Sequence, residues 1–206
     1  TRGATCIEFI LEEAITIETL LKDIDLENTT LHFKLDFLQS EFIADLLKKT
    51  YSENTFIDLD IIGRLAKSGN WYQNQKVDFT SLKKILDNKN TICINCETYQ
   101  NAGATITQQL AYAMAHANEY LHIFGTEIAS KIHFKFSVGT NYFFEIAKLR
   151  AFRILWAALL KEYNITNTNT HVLARPSKRN KTLYDYNVNM LRTTSECMSA
   201  ILGGAN

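Results

Sequence analysis

Proline is almost missing from this chain: Pro176 is the only one among 206 residues, and glycine occurs eight times. That scarcity excludes proline-rich spacers, collagen-like repeats and the Gly/Ser tethers that join domains, so residues 1–206 read as one domain. Net charge is missing too. The 22 Lys and Arg balance 22 Asp and Glu, which leaves no long-range field to draw in a polyanion, and nucleic acid is not an expected partner. No run of about 18 apolar residues occurs, so no transmembrane helix and no membrane partner are expected. The opening "TRGATCIEF" carries neither a signal-peptide pattern nor an initiator methionine, and reads as cut from a longer chain.

Cysteine is sparse and irregularly spaced, at Cys6, Cys93, Cys96 and Cys197. This favours a reducing, cytoplasmic location and free, mostly buried thiols. The "CINC" at 93–96 invites a metal or redox reading. It lies in a strand-like run, "TICINCE", where residues three apart point to opposite faces, so buried strand cysteines are expected and no metal site. His116, His122, His133 and His171 show no ligand spacing with acids or cysteines.

What the chain does contain is a repeated alternation. "ATCIEFIL" (4–11) precedes "ITIETLLKDI", "TTLHFKLD" (29–36) precedes "LQSEFIADLLKKTY", and "TFIDLDI" (55–61) precedes "DFTSLKKILDN" after a loop containing "SGNWYQNQ". "TICINCE" (91–97) precedes "TITQQLAYAMAHANEYLHIF", "KIHFKFSV" (131–138) precedes "FFEIAKLRAFRILWAALL", and "HVLARP" (171–176) precedes "YNVNMLRTTSECMSAIL". Six strand–helix units without hairpin turns predict parallel strands, because a helical crossover returns the chain to the same end of the sheet. A doubly wound sheet and a TIM barrel both fit. The first, however, is expected to carry a glycine-rich phosphate turn after strand one, and "LEEAITIE" has no glycine there. The preferred fold is therefore an α/β, TIM (β/α)8-type barrel. It is incomplete, since eight units are needed and the sequence stops at "ILGGAN" after the sixth. Strands one and six are then open edges, through which the fragment can self-associate.

The helix of the fifth unit is apolar round most of its circumference. Helical spacing places Phe144, Ala147, Ala151, Ile154, Leu155 and Ala158 on an inner face, with Phe143, Phe152, Trp156 and Leu159 widening it. A core helix with an apolar flank is one reading, and an extra surface buried against a partner is the other.

Several long motifs carry a resemblance. Gly139 to Trp156, "GTNYFFEIAKLRAFRILW", echoes a "GMNFF-E-AK-RA-R-LW" helix; "NAGATITQQLAYAMAHANEYL" (101–121) echoes an "AGA" turn and "-ELAY-LA---EY" helix; "NMLRTTSECMSAILGG" (189–204) echoes "N-(I/V)RT--EA-AA--GG". In that order they resemble the barrel of the methylmalonyl-CoA mutase family, adenosylcobalamin-dependent isomerases. The resemblance covers strands three to six well and the first two loosely.

The resemblance also shows departures. Where catalytic chains of the family read "SGYHMQEAGA", alignment on Ala102-Gly103-Ala104 puts Glu97 and Thr98 in place of a Tyr-His pair that brackets the substrate, with Gln100 retained. A threonine cannot serve as an imidazole donor. In the third strand, Asp58 stands for a glutamine and Ser68 for an arginine that pairs with the substrate carboxylate. An aspartate there repels an anion and serine cannot neutralise it. "SKRNK" (177–181) replaces "TSGWS"; it is a basic loop open either to CoA phosphates or to solvent alone. "CINCETYQNAGA" suits the "YHNAGA"-type turn of the family's small subunits better than the catalytic turn. The family's cobalamin-binding module, with its "DxHxxG" motif, is absent from these residues, so no cofactor is expected on this fragment.

The resemblance thus implies a small, non-catalytic subunit paired with a catalytic large subunit in a heterodimer, the holoenzyme using adenosylcobalamin. Vestigial pocket positions are Asp58, Ser68, Thr98, Gln100, Asn141 and Arg192, and none is expected to be catalytic. Asn141 faces a ligand or caps a helix; Arg192 faces a ligand or pairs with Glu196 at i+4. Two other readings are an acyl-CoA mutase tuned to a neutral acyl group through Glu97, Thr98 and Ser68, and a TIM-barrel enzyme unrelated to cobalamin.

Overall fold

The computed structural model describes residues 4–50, 53–86 and 92–206. Tyr51 of the predicted second helix and Thr91 of the predicted fourth strand lie outside them. The chain divides into two compact units, Thr1–Cys93 and Ile94–Asn206.

In the first unit β1 (Cys6–Leu11), β2 (Thr30–Leu35) and β3 (Thr55–Asp58) form a parallel sheet in chain order. Cys6 pairs with Thr30 and Leu31 with Thr55 in register. Leu31, Phe33 and Leu35 are buried and so is His32 between them, as expected of a parallel strand covered on both faces. The helix after β1 shrinks to a single turn, α1 (Ile17–Leu20), and α2 (Ser40–Lys49) follows β2. The third unit holds a helix that the hydrophobic pattern did not reveal. β3 ends at Asp58, and α3 (Ile61–Ser68) begins at once, capped by Asp60, whose Oδ1 accepts the Gly63 N–H at 2.7 Å. α4 (Gln75–Ile85) starts three residues before the predicted "DFTSLKKILDN", because Asn74 caps it through the Val77 N–H.

β4 (Ile92–Asn95), which spans the boundary at Cys93, joins β5 (Ile132–Val138) and β6 (Val172–Pro176) of the second unit in another parallel sheet, again in chain order. The helices are α5 (Glu97–Asn101), α6 (Ile106–Phe124), α7 (Tyr142–Glu162) and α8 (Tyr186–Gly203), with a 3-10 turn at Thr126–Lys131. A capping box starts α6: Thr105 Oγ1 accepts the Gln108 N–H while Gln108 Oε1 accepts the Thr105 N–H. Neither sheet reverses its strand order, the feature that marks the switch point of a doubly wound sheet. The architecture is α/β, with two three-stranded parallel sheets and helices. At the free edge of β6, Asn206 bonds Val172 twice, its N–H to the Val172 carbonyl at 3.0 Å and its Oδ1 to the Val172 N–H at 2.9 Å.

Two expectations need correction. Cys96 is not a strand residue: β4 ends at Asn95 and Cys96 opens α5, so the alternation argument does not reach it. None of the four cysteines is in a disulfide, but Cys6 and Cys197 are exposed and only Cys93 and Cys96 are buried. The face of α7 is also inverted. Its buried stripe is Glu145, Lys148, Leu149, Phe152, Trp156 and Leu160, and Phe152 and Trp156 meet Phe134 of β5 edge-on. Phe144 and Ile154, predicted inside, are 61% and 71% exposed. No helix among the described residues is long and apolar enough to cross a membrane.

Candidate functional site

Each unit places its share of the predicted positions. In the first, Asp58 ends β3 with its side chain buried, and its Oδ1 lies 3.6 Å from His32 Nδ1. The imidazole of His32 stacks on Phe56, centroids 4.8 Å apart. Asp58 therefore sits beside a buried imidazole. Ser68 closes α3 and its hydroxyl is engaged locally, 2.8 Å from the Arg64 carbonyl and 3.1 Å from the Asn70 carbonyl, between which its one proton is shared. The nearby guanidinium of Arg64 lies over the Tyr72 ring at 4.1 Å. Burial pushes the Tyr72 phenol up to about 12.

In the second unit, α5 follows β4 without a loop, so Glu97, Thr98 and Gln100 leave the carboxyl end of that strand on one short helix. Thr98 is half-buried, and its carbonyl accepts the Ala102 N–H at 3.1 Å. Gly103 takes a φ of 106°, a conformation that side-chain-bearing residues rarely adopt, and this lets the turn return to α6. Gln109 of α6 fastens the turn by donating to the Ala104 carbonyl at 3.0 Å.

Gln100 is buried and donates through Nε2 to Ser177 Oγ at 2.6 Å, while its Oε1 has no partner among the described residues. The same Ser177 oxygen accepts the Arg179 N–H, and Arg179 Nη1 donates to the Gln100 carbonyl at 3.3 Å. The "SKRNK" loop is thus stitched to α5. It is stitched to α8 as well. Glu196, wholly buried, accepts from Asn180 Nδ2 and from Lys181 Nζ, each at 2.6 Å. Arg192 donates to the Asn180 carbonyl. Arg192 is therefore a loop anchor, and the carboxylate expected to pair with it, Glu196, is taken by Lys181. Of the basic residues in the loop, Lys178 and Arg179 are exposed.

Asn141 stands at the N-cap of α7, exposed, with no side-chain capping bond; its carbonyl accepts the Glu145 N–H at 2.9 Å. The group that organises this turn is Glu145. Its Oε1 accepts the Gly139 N–H at 3.0 Å, and its Oε2 lies 2.5 Å from Lys148 Nζ. Lys148 also donates to the Ser137 carbonyl at 2.6 Å and to Gln109 Oε1 at 3.1 Å. Burial lowers the Lys148 ammonium from its ordinary value, with Glu145 pulling the other way. The structure thus brings Gln100 and Arg192 together through the 177–181 loop, but ties Asn141 to the β5–α7 turn only through its backbone. Sequence reasoning overlooked Glu145, Lys148 and Ser177, although the "FFEIAK" run and the basic loop were both in view.

The sequence profile of the family described as methylmalonyl-CoA mutase matches residues 11–206. This chain belongs to the methylmalonyl-CoA mutase family. The methylmalonyl-CoA mutase small subunit of Porphyromonas gingivalis is 43% identical over 123 residues, which cover 55% of this chain and 20% of that protein. The methylmalonyl-CoA mutase of Rhizobium meliloti is 29% identical over 184 residues, covering 82% of this chain and 24% of its own length. The large subunit from Porphyromonas gingivalis is 35% identical over 123 residues, covering 55% of this chain and 17% of its own. The chain spans about a quarter or less of the length of these mutases.

Proposed function

We propose that this chain is part of the barrel of a methylmalonyl-CoA mutase small subunit. In this reading it is a non-catalytic partner that holds a catalytic large subunit in a heterodimer. Two three-stranded parallel sheets, each in chain order with helices following the strands, suit parts of a (β/α)8 barrel. The observation that carries the non-catalytic reading is the bonding of Ser68. The position where catalytic relatives are expected to offer a guanidinium to the substrate carboxylate holds a hydroxyl whose one proton is directed to the Arg64 carbonyl of its own helix. Asp58, a carboxylate in place of a neutral amide, adds repulsion to that loss.

Adenosylcobalamin would serve the assembled enzyme by supplying a carbon radical from its cobalt–carbon bond. Histidines here do not fit as the cobalt ligand: His32, His116 and His133 are buried at 4% exposure or less, and none lies in an Asp-x-His-x-x-Gly sequence. No step is therefore assigned to the cofactor on these residues.

Affinity purification of the natural full-length protein from its own cells tests the pairing. A longer mutase chain carrying the Tyr-His pair and the Asp-x-His-x-x-Gly motif is expected in stoichiometric amount. Recovery without such a chain contradicts the proposal.

A further inference from the structure

An amine, a carboxylate and an amide meet in the core of the second unit. Lys148 and Glu145 of α7 and Gln109 of α6 are 1%, 5% and 3% exposed. Lys148 Nζ lies 2.5 Å from Glu145 Oε2 and donates to Gln109 Oε1 at 3.1 Å. The amide is held in place from its other end, where Nε2 donates to the Ala104 carbonyl at 3.0 Å. Lys148 is held by the Ser137 carbonyl at 2.6 Å, and the Phe136 ring lies beside it, its centroid 5.8 Å from Nζ. Glu145 Oε2 receives no hydrogen bond among the described residues, so it is open to accept a proton.

Such surroundings change what a lysine can do. Burial lowers the Lys148 ammonium from its ordinary value and so favours the free amine, the nucleophilic form. Two buried charges also carry a desolvation cost that a neutral arrangement of the same groups avoids. The reacting groups are already in place, the condition that turns a slow bimolecular step into an effectively unimolecular one. We propose that Lys148 and Gln109 join in an isopeptide bond, with Glu145 as the proton carrier. One ammonium proton passes to Glu145 Oε2, and the freed Nζ attacks Gln109 Cδ. The Nζ–Cδ bond forms and the Cδ–Nε2 bond breaks. The departing nitrogen takes a second Nζ proton by way of Glu145 and leaves as ammonia. Glu145 keeps the first proton, so an ammonium, a carboxylate and a primary amide become a secondary amide, a carboxyl group and ammonia. No oxidant or cofactor enters, and the geometry given above is the state before reaction.

A second triangle of the same chemical types, Lys181, Asn180 and Glu196, lacks the seclusion: the Lys181 side chain is 23% exposed, and water keeps its ammonium charged. The 109–148 bond would span 39 residues and tie the first turn of α6 to the second turn of α7. It is independent of whether the chain is catalytic.

The test is the mass of the natural full-length protein, freshly purified and after prolonged incubation. Intact-mass spectrometry should show the loss of one ammonia from most molecules. Tryptic mapping should show no cleavage after Lys148 and a branched peptide that joins it to Gln109. These two readings need no variant to fold. Lys148→Met and Gln109→Met should keep the full mass, and Glu145→Gln should form the bond about 100-fold more slowly, with far-UV circular dichroism unchanged. The full sequence mass in both natural samples, an ammonia loss that maps to Asn180 and Lys181 or to any other residues, or one that persists in Lys148→Met overturns the proposal.

Discussion

Glu145 and Lys148 form a buried ion pair one turn apart on α7, with 2.5 Å between Oε2 and Nζ. The pair is more than a local bond. Glu145 holds the Gly139 N–H, and Lys148 holds the Ser137 carbonyl and the Gln109 side chain. The end of β5, the start of α7 and the flank of α6 are therefore fixed by two charges. Removing one partner leaves the other buried and alone, which typically costs about 3–5 kcal/mol. Lys148→Ala is expected to destabilise by that amount in urea unfolding. The double variant Glu145→Gln/Lys148→Met should recover much of the loss, since its neutral groups carry no desolvated charge.

Close helix packing gives a second expectation. Gly203 of α8 lies so near α7 that a Cβ there would come within 2.8 Å of Leu149 Cδ1. Gly203→Ala is expected to cost about 1–3 kcal/mol through overpacking. In Leu149→Ala, which opens the space, the added methyl should cost less. A double-mutant cycle on melting temperatures measures the coupling.

The basic loop supplies a third. Glu196 is the counterion that holds Asn180 and Lys181 against α8. Glu196→Ala should release the 177–182 segment, and limited trypsin digestion should then cut after Lys178, Arg179 or Lys181 several-fold faster. Equal cleavage rates in the two proteins would contradict the clamp.

Alkaline titration supplies a fourth. The Tyr72 phenol is raised to about 12 from an ordinary value of 10.0. Between those values the unfolded chain has lost this proton and the folded chain keeps it. Its contribution to stability is thus complete below about pH 10 and is lost as pH rises through about 12. Tyr72→Phe should remove that alkaline loss from a plot of unfolding free energy against pH.

Much of the strand–helix alternation was legible, because β-branched and aromatic residues recur in short runs such as "TFID" and "KIHFKF". The Thr105–Gln108 capping box is equally visible in sequence. α3 was not. Its eight residues include a glycine and begin directly at Asp60, so there is neither length nor a turn to announce it. α7 misled for the opposite reason. Both of its faces are apolar, and the charges Glu145 and Lys148, which a hydropathy argument turns outward, are the residues that point in. At the site, the place of Asp58 on β3 was legible from the strand pattern, but Thr98 and Gln100 lie on α5, a five-residue helix too short to be announced after the strand-like "TICINCE" run. The role of Arg192 was not legible either, since its partner is a loop carbonyl twelve residues away rather than a carboxylate on its own helix.

The proposed role of this chain is to support mutase chemistry without performing it. The most direct measurement is conversion of methylmalonyl-CoA to succinyl-CoA with adenosylcobalamin, by the natural full-length protein alone and then mixed with its large subunit. Turnover in the mixture, and none by this protein alone, is the predicted result. Turnover by this protein alone would contradict the account and return Asp58, Ser68 and Thr98 to the substrate pocket.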